Sequence, residues 1–186
     1  MPFRTSFRTT TRALATAAVV LGASLTGTAQ AAEAAPTGDV SAAAVVLTYD
    51  ASGSAEFAGA VASGAAVWNS SVSNVRLEPV APGRRANIRI VADNGWPRAQ
   101  TTSLGNGTVW MGRQAVNEGY HTVRIAAHEL GHILGLPDLK PGPCSSLMSG
   151  STGGVSCTNI YPDAQERAWV EDDFATALTA PAATAR

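Results

Sequence analysis

The sequence predicts an α+β fold for one domain of residues 44–186. Three observations lead to this class. Strand patterns of apolar and β-branched residues lie early in the chain, amphipathic helical patterns flank them, and no internal repeat or second hydrophobic block follows. Because 45% of the 186 residues are hydrophobic and only 15% are charged, the chain can bury one modest core.

Three segments have the pattern of strands. Residues 44–49 (AVVLTY) are apolar and β-branched, which favours a buried strand. Residues 87–91 alternate, so Ile88 and Ile90 face the same side. Residues 108–111 follow the turn-forming Gly-Asn-Gly at 105–107, which favours a third strand.

Three further segments have the pattern of helices. Ser54 is a candidate N-cap for a helix over 54–69, whose apolar face would carry Phe57, Val61, Ala65 and Trp68. A second helix runs through residues 123–134 and stops at Gly135. A closing helix over 164–178 follows Pro162, which suits a first helical position.

The first 43 residues have the pattern of export segments. Residues 1–31 combine three arginines, the apolar stretch Ala13–Leu25 and a small-x-small site at Ala29–Ala31, which is typical of a secretory signal peptide. A membrane anchor would need about 20 continuous apolar residues, and this stretch is shorter and diluted. Residues 32–43 have no hydrophobic periodicity and are interpreted as a short pro-segment, so the mature chain should begin near Ala42–Ala44.

The net charge and the predicted export together limit the classes of binding partner that we expect. The formal net charge is -1 and no basic stripe is present, so nucleic acid is not an expected partner. After removal of the signal peptide we expect an extracellular protein, monomeric and without membrane attachment.

Only two cysteines occur, Cys144 and Cys157, and they lie in the exported part, in a loop over 137–159 that is rich in Pro, Gly and Ser. An oxidising compartment and an even count favour a disulfide between them, stabilising by about 3 kcal/mol for a loop of this length. Two free thiols are the alternative. A cysteine zinc site is disfavoured, because the spacing is far from C-x(2-4)-C.

The residues that indicate chemistry lie at 127–138, AHELGHILGLPD. His128 and His132 are four apart, so on a helix both imidazoles can bind one zinc ion. Gly135 can end the helix in a left-handed conformation, which lets Asp138 approach as third ligand. Glu129 is rotated about 100° from His128, outside the ligand set but close enough to accept a proton from a water that zinc has acidified.

Histidine is rare in this chain, with 3 in 186 residues, so a chance H-E-x-x-H is improbable. The motif, with its Gly and Asp, resembles the extended zinc motif of the metzincin clan in its Asp-ligand variant. Within that clan the chain resembles the snapalysin family of small secreted bacterial metallopeptidases. The resemblance extends to TYD at 48–50, WNSSV at 68–72, GPCSSLMSG at 142–150 and SCTNIYPDAQER at 156–167.

The resemblance implies endopeptidase activity on protein or peptide substrates, a small twisted mixed sheet over an active-site helix, and a methionine turn under the metal at Met148. Methionine is otherwise an adaptable core filler. The family preference for Tyr or Phe just after the scissile bond implies cleavage on the amino side of these residues. We expect the strand at 108–111 to be a sheet edge to which a peptide adds, and the loop bearing Leu147 and Met148 to form a pocket wall.

Two positions depart from the family. Lys140 stands where members can carry tyrosine; it could stabilise an oxyanion or point to water, and we favour water. His121 stands where an acidic residue of a calcium site would be expected, so calcium binding is not supported; we interpret His121 as an ordinary solvent-side residue.

Two other functional classes are weighed against the peptidase. A non-catalytic zinc-binding module would need no Glu129. A serine or cysteine nucleophile hydrolase is disfavoured, because the sequence has no G-x-S-x-G elbow and both cysteines are better used in a disulfide.

Overall fold

The computed structural model describes residues 43–179. The predicted signal peptide and nearly all of the predicted pro-segment lie outside the described residues, as does the end of the chain from residue 180. Within residues 43–179, no helix has the length and apolar character needed to cross a membrane.

Five strands form one mixed sheet in the order β2-β1-β3-β5-β4. Neighbouring strands are parallel except β4, which runs antiparallel to β5 at one edge. Their bounds are β1 Val45–Gly53, β2 Val75–Pro79, β3 Ile88–Asp93, β4 Arg98–Ser103 and β5 Asn106–Gly112. The α+β class with a mixed sheet is confirmed.

Four α-helices pack with the sheet: α1 Ala58–Ser71, α2 Arg113–Asn117, α3 Thr122–Ile133 and α4 Ala164–Thr179. The predicted apolar face of α1 is buried, including Trp68 at 0% exposure. The N-cap prediction for Ser54 is wrong. Ser54 precedes a 3-10 turn, Ala55–Phe57, and its hydroxyl donates to the Ala51 carbonyl at 2.7 Å instead of capping α1.

Helix α3 is held in the core by α1. The Trp68 indole N–H donates to the Ala127 carbonyl at 2.8 Å. Gly64 allows the two helices to approach, because a Cβ there would lie 2.9 Å from the Ala127 nitrogen. Ala127, the residue just before the H-E-x-x-H motif, is therefore held in the core of the domain.

Two strands, β2 and β4, were not predicted. Strand β2 alternates, with Val75 and Leu77 buried, but it is only five residues long and ends at a proline. Strand β4, RAQTTS, has no fully buried residue, so it gives no hydrophobic pattern. Its pairing with β5 depends on residues further along the chain.

The presence of β4 corrects the prediction of which strand forms the sheet edge along the cleft. We expected the strand at 108–111 to be the edge, but β5 lies between β3 and β4 and is paired on both sides. The edge strand is β4, and its outer side has no strand partner among residues 43–179.

The closing helix begins at Ala164, so Pro162 is not its first residue. A reciprocal capping box starts it: Asp163 Oδ1 accepts from the Glu166 N–H at 2.9 Å, and Glu166 Oε2 accepts from the Asp163 N–H at 2.7 Å. The helix buries Val170 and Phe174.

Candidate active site

Helix α3 carries two of the predicted ligands, and the turn after it brings the third. His128 and His132 lie one helical turn apart, with ring centroids 4.7 Å apart. The helix ends after Ile133, and Gly135 takes φ 103°, a conformation that glycine adopts without steric cost. The Leu136 N–H then donates to the Gly131 carbonyl at 3.0 Å, and the chain reverses toward the histidines.

This reversal places Asp138 beside both rings. Its Oδ1 lies 3.3 Å from His128 Nε2 and 3.5 Å from His132 Nε2. One ligand atom from each of the three residues falls within 4.8 Å of the others. Of the predicted site residues, these three are therefore brought together as the spacing indicated.

Backbone carbonyls orient the two imidazoles. His128 Nδ1 lies 3.0 Å from the Leu147 carbonyl, and His132 Nδ1 lies 2.8 Å from the Leu136 carbonyl. Because a carbonyl can only accept, each Nδ1 must carry the proton, which leaves the Nε2 lone pairs facing Asp138. Two lone pairs and a carboxylate oxygen directed at one point repel one another, so the donor set fits a divalent cation such as Zn²⁺.

Glu129 lies beside this cluster in a buried position, 5% exposed. Its Oε2 has no hydrogen-bond partner among residues 43–179. Burial raises the pKa of Glu129 to about 7, with smaller contributions from nearby charges. A buried carboxylate oxygen without a partner is costly unless a ligand or water meets it, which makes Glu129 a candidate functional group.

The methionine predicted beneath the metal packs under α3. Met148 is 0% exposed, and its sulfur fills the space where a Cβ on Gly131 would lie. The Met148 carbonyl accepts from the Leu139 N–H at 2.9 Å, next to Asp138. Together with the Leu147 carbonyl on His128, this segment orients two of the three candidate ligands.

Two charged residues that were not predicted hold that segment. Arg124 of α3 donates to the carbonyls of Ser146 and Asn159, each at 2.7 Å, and to Ser149 Oγ at 2.9 Å. Burial lowers the pKa of Arg124, and the charge of Glu166 opposes that effect. The partners of Arg124 lie 22 or more residues away, so no local pattern identified its role.

Glu166 of α4, with 0% exposure, accepts from the N–H groups of Leu147 at 3.1 Å and Met148 at 2.8 Å. The hydroxyl of Ser146 donates to it at 2.6 Å. The D-x-x-E pattern at 163–166 could have identified a capping role for Glu166, but not its contacts with the methionine segment.

The disulfide between Cys144 and Cys157 is confirmed. It closes the loop that contains Met148, and just beyond that loop Asn159 Nδ2 donates to the Cys144 carbonyl at 3.1 Å. The covalent bond and these hydrogen bonds keep the segment from Ser146 to Ser149 in place below the histidines.

The side chain of Lys140 is 36% exposed, so it faces solvent in part, but it does not point only to water. Its Nζ lies 3.0 Å from Asp138 Oδ1, and its side chain borders Gly150. Close contact with the His128 ring and with the Lys140 ammonium lowers the pKa of Asp138 well below its usual range, and partial burial opposes this effect.

His121 is not an ordinary solvent-side residue either. It is the N-cap of α3, and its Nδ1 accepts from the Arg124 N–H at 3.3 Å. It is half-buried and faces the cleft, but it does not belong to the cluster of metal-binding groups.

A cleft of about 740 Å³ runs between β4 and α3 across the three candidate ligands. At the start of β4, the Trp96 and Tyr120 rings meet edge to face at 5.6 Å, and the Tyr120 hydroxyl donates to the Ser151 carbonyl at 3.5 Å. At the other end, Leu104 lies against Gly135.

The predicted pocket wall is also corrected. Leu147 and Met148 are fully buried and do not line the cleft. From that loop region, Gly150 and Ser151 reach the cleft instead. The reason is the hydrogen bonding of Arg124 and Glu166, which holds residues 146–149 beneath the helix.

Comparison with known proteins agrees with this geometry. Residues 44–177 match the model of the Streptomyces extracellular neutral proteinase (M7) family. Three proteins, each named "Extracellular small neutral protease", are similar. The one from Streptomyces coelicolor is 44% identical over 124 residues, covering 65% of this chain and 55% of the relative. The one from Streptomyces caespitosus is 47% identical over 106 residues, covering 56% of this chain and 77% of the relative.

The relative from Streptomyces sp. (strain C5) is 44% identical over 114 residues, which cover 61% of this chain and 49% of the relative. The chain therefore spans about half the length of two of these three relatives. The matched residues include β1, the H-E-x-x-H helix, the methionine segment and α4 as far as residue 177. This confirms the resemblance to the snapalysins: the chain belongs to the Streptomyces extracellular neutral proteinase (M7) family.

Proposed function

We propose that this protein is a secreted, zinc-dependent endopeptidase that acts as a monomer on extracellular proteins and peptides. The names of its relatives as extracellular neutral proteases support the activity and the location. The observation that carries the proposal is the convergence of His128, His132 and Asp138 beside a buried carboxylate that has no partner.

The residues present fit zinc. Nitrogen and carboxylate ligands in a set of three are typical of catalytic zinc sites, and the two imidazoles are already in the tautomer that presents Nε2. When bound, the ion supplies Lewis-acid chemistry, acidifying water and polarising a carbonyl oxygen. His128, His132 and Asp138 would hold it.

Glu129 would move the proton. Its Oε2 would accept a proton from the attacking water and later return it to the departing amine, so that one carboxylate acts first as base and then as acid. A pKa of about 7 suits a group that must both accept and release a proton near neutral pH.

The substrate would add to the outer side of β4 as an antiparallel strand. Backbone pairing with an edge strand gives affinity with little sequence preference. Because β4 begins beside Tyr120 and ends beside Gly135, the amino-terminal part of the peptide would lie at the Leu104 end. Residues after the scissile bond would lie near Trp96 and Tyr120.

This orientation supports cleavage on the amino side of Tyr or Phe. The part of the cleft that would receive that side chain is formed by Trp96, Tyr120 and Ile125, all of which suit an aromatic ring. An acidic side chain would be refused, because a buried carboxylate is costly and the guanidinium of Arg124 is already engaged with backbone carbonyls.

The test uses protein purified from culture medium. The wild-type protein should contain one zinc ion per chain and degrade casein, and the degradation should stop when a chelator is added. His132→Ala should lose the metal. Glu129→Gln should keep zinc and fold but lose turnover, since only the proton acceptor is changed.

Zinc-loaded protein that binds casein without cutting it would favour the non-catalytic zinc module. A Glu129→Gln variant with a near-normal rate would point to another base. Cut sites in a denatured protein that cluster before Lys or Asp, or after aromatic residues, would contradict the proposed pocket.

A further inference from the structure

The end of the cleft at the start of α3 has a polar group that the proposed mechanism does not use. We name it the aromatic end and define it by Trp96, Tyr120, His121 and Ile125. Two rings and an aliphatic side chain make its walls, and the imidazole of His121 lies on the same face of α3 as Ile125 and His128. His121 precedes His128 by seven residues, or about 10 Å along a helix.

The hydrogen bonding of His121 determines which nitrogen is a donor. Nδ1 accepts from the Arg124 N–H, so in the neutral ring the proton lies on Nε2. Within the described part of the chain, no group accepts a hydrogen bond from that Nε2. The cap orients the imidazole, and because His121 lines the cleft, the ring offers a donor there that has no partner among residues 43–179.

Two of the neighbouring donor groups are already engaged. Both terminal nitrogens of Arg124 donate to the loop beneath α3, and the Tyr120 hydroxyl donates to the Ser151 carbonyl. A side chain that fills the aromatic end and carries an oxygen at its tip would meet the imidazole of His121. Tyrosine has this shape and phenylalanine lacks the oxygen.

We propose that His121 is a specificity-determining residue whose Nε2 donates a hydrogen bond to the phenol oxygen of a tyrosine just after the scissile bond. This inference rests on the proposed function and refines its substrate preference, since it predicts that tyrosine is favoured over phenylalanine at this position. Phenylalanine would still fill the walls but would leave the Nε2–H without an acceptor.

The test compares two peptides that are identical except for Tyr or Phe after the scissile bond. Wild type should show a Tyr/Phe ratio in kcat/KM of about three- to tenfold, the factor of one neutral hydrogen bond. In His121→Asn the ratio should fall to about one. Asparagine is a favoured N-cap and can still accept from the Arg124 N–H, so stability should be kept.

Ser151→Ala is the matched control, because it removes another hydroxyl at the same end of the cleft and should leave the ratio unchanged. A wild-type ratio near one would overturn the proposal. So would an equal loss on both peptides in His121→Asn, which a merely structural role predicts, or a ratio that depends on Ser151.

Absence of cleavage of either peptide would contradict the proposed function but not yet this inference. In that case, NMR titrations of the zinc-loaded protein with Tyr-Ala-amide and with Phe-Ala-amide test the role of His121. Three- to tenfold tighter binding of the tyrosine peptide that is lost in His121→Asn supports the role of His121, and equal binding of both peptides rejects it.

Discussion

Glu166→Ala should be among the most destabilising single changes in this domain, although Glu166 touches none of the candidate ligands. Its buried carboxylate accepts four hydrogen bonds, from Ser146 Oγ and from the N–H groups of Leu147, Met148 and Asp163. Hydrogen bonds to a charged group contribute about 1.5–3 kcal/mol each, or about 6–12 kcal/mol for four. Removing the buried charge also removes a desolvation penalty of several kcal/mol.

The net loss should therefore be about 3–5 kcal/mol in the free energy of unfolding, the range found when one partner of a buried charged network is deleted. Urea unfolding of wild type and variant, each with and without chelator, measures it. Glu171→Ala is the control on the same helix. Glu171 also accepts from two backbone N–H groups, of Ser73 and Asn74, but in a more exposed setting, so its loss should cost about 1 kcal/mol or less.

Glu166→Gln adds a second measurement. The amide keeps the volume but puts an NH₂ group against backbone donors, which should displace the segment from Ser146 to Ser149 and with it the Leu147 carbonyl on His128. Zinc affinity should fall about 10–100-fold, as for other outer-shell partners. A Glu166→Ala protein within 1 kcal/mol of wild type, or a Glu166→Gln protein with normal zinc affinity, would refute this reasoning.

Two further predictions concern the loop and the lysine. Replacing both Cys144 and Cys157 by serine should lower the unfolding free energy by about 3 kcal/mol, as measured in urea, because the closed loop spans 13 residues; an unchanged midpoint would mean that hydrogen bonds alone hold it. Lys140→Met should keep zinc but lower kcat by about ten- to a hundredfold. This loss is smaller than the roughly 10²–10³-fold loss on removing a fully enclosed oxyanion donor. An unchanged kcat would mean that Lys140 is only a partner of Asp138.

The candidate ligand cluster could be predicted from the sequence because its geometry is local. Two histidines four apart on a helix must share a face, and a glycine that ends the helix needs only its own positive φ to turn the chain back. Asp138 follows within six residues of His132, so no distant pairing was required. The buried face of α1 was predictable for the same reason, since helical periodicity depends only on neighbours along the chain.

Tertiary structure alone decided what surrounds that cluster. Strand β4 has no hydrophobic pattern, because its residues are exposed beside the cleft, and only its pairing with β5 makes it the sheet edge. The Lys140 ammonium contacts Asp138, although its side chain is partly exposed, because the chain reversal after α3 brings the two together.

The groups that orient the site could not be predicted from the sequence either. Arg124 and Glu166 reach the methionine segment across separations of about twenty residues, where no periodicity applies. His121 looks like any surface histidine until the start of α3 supplies an N–H for its ring and the cleft forms beside it. Local chemistry thus determined which residues could bind a metal, whereas long-range hydrogen bonds and packing determined how they are held and what they face.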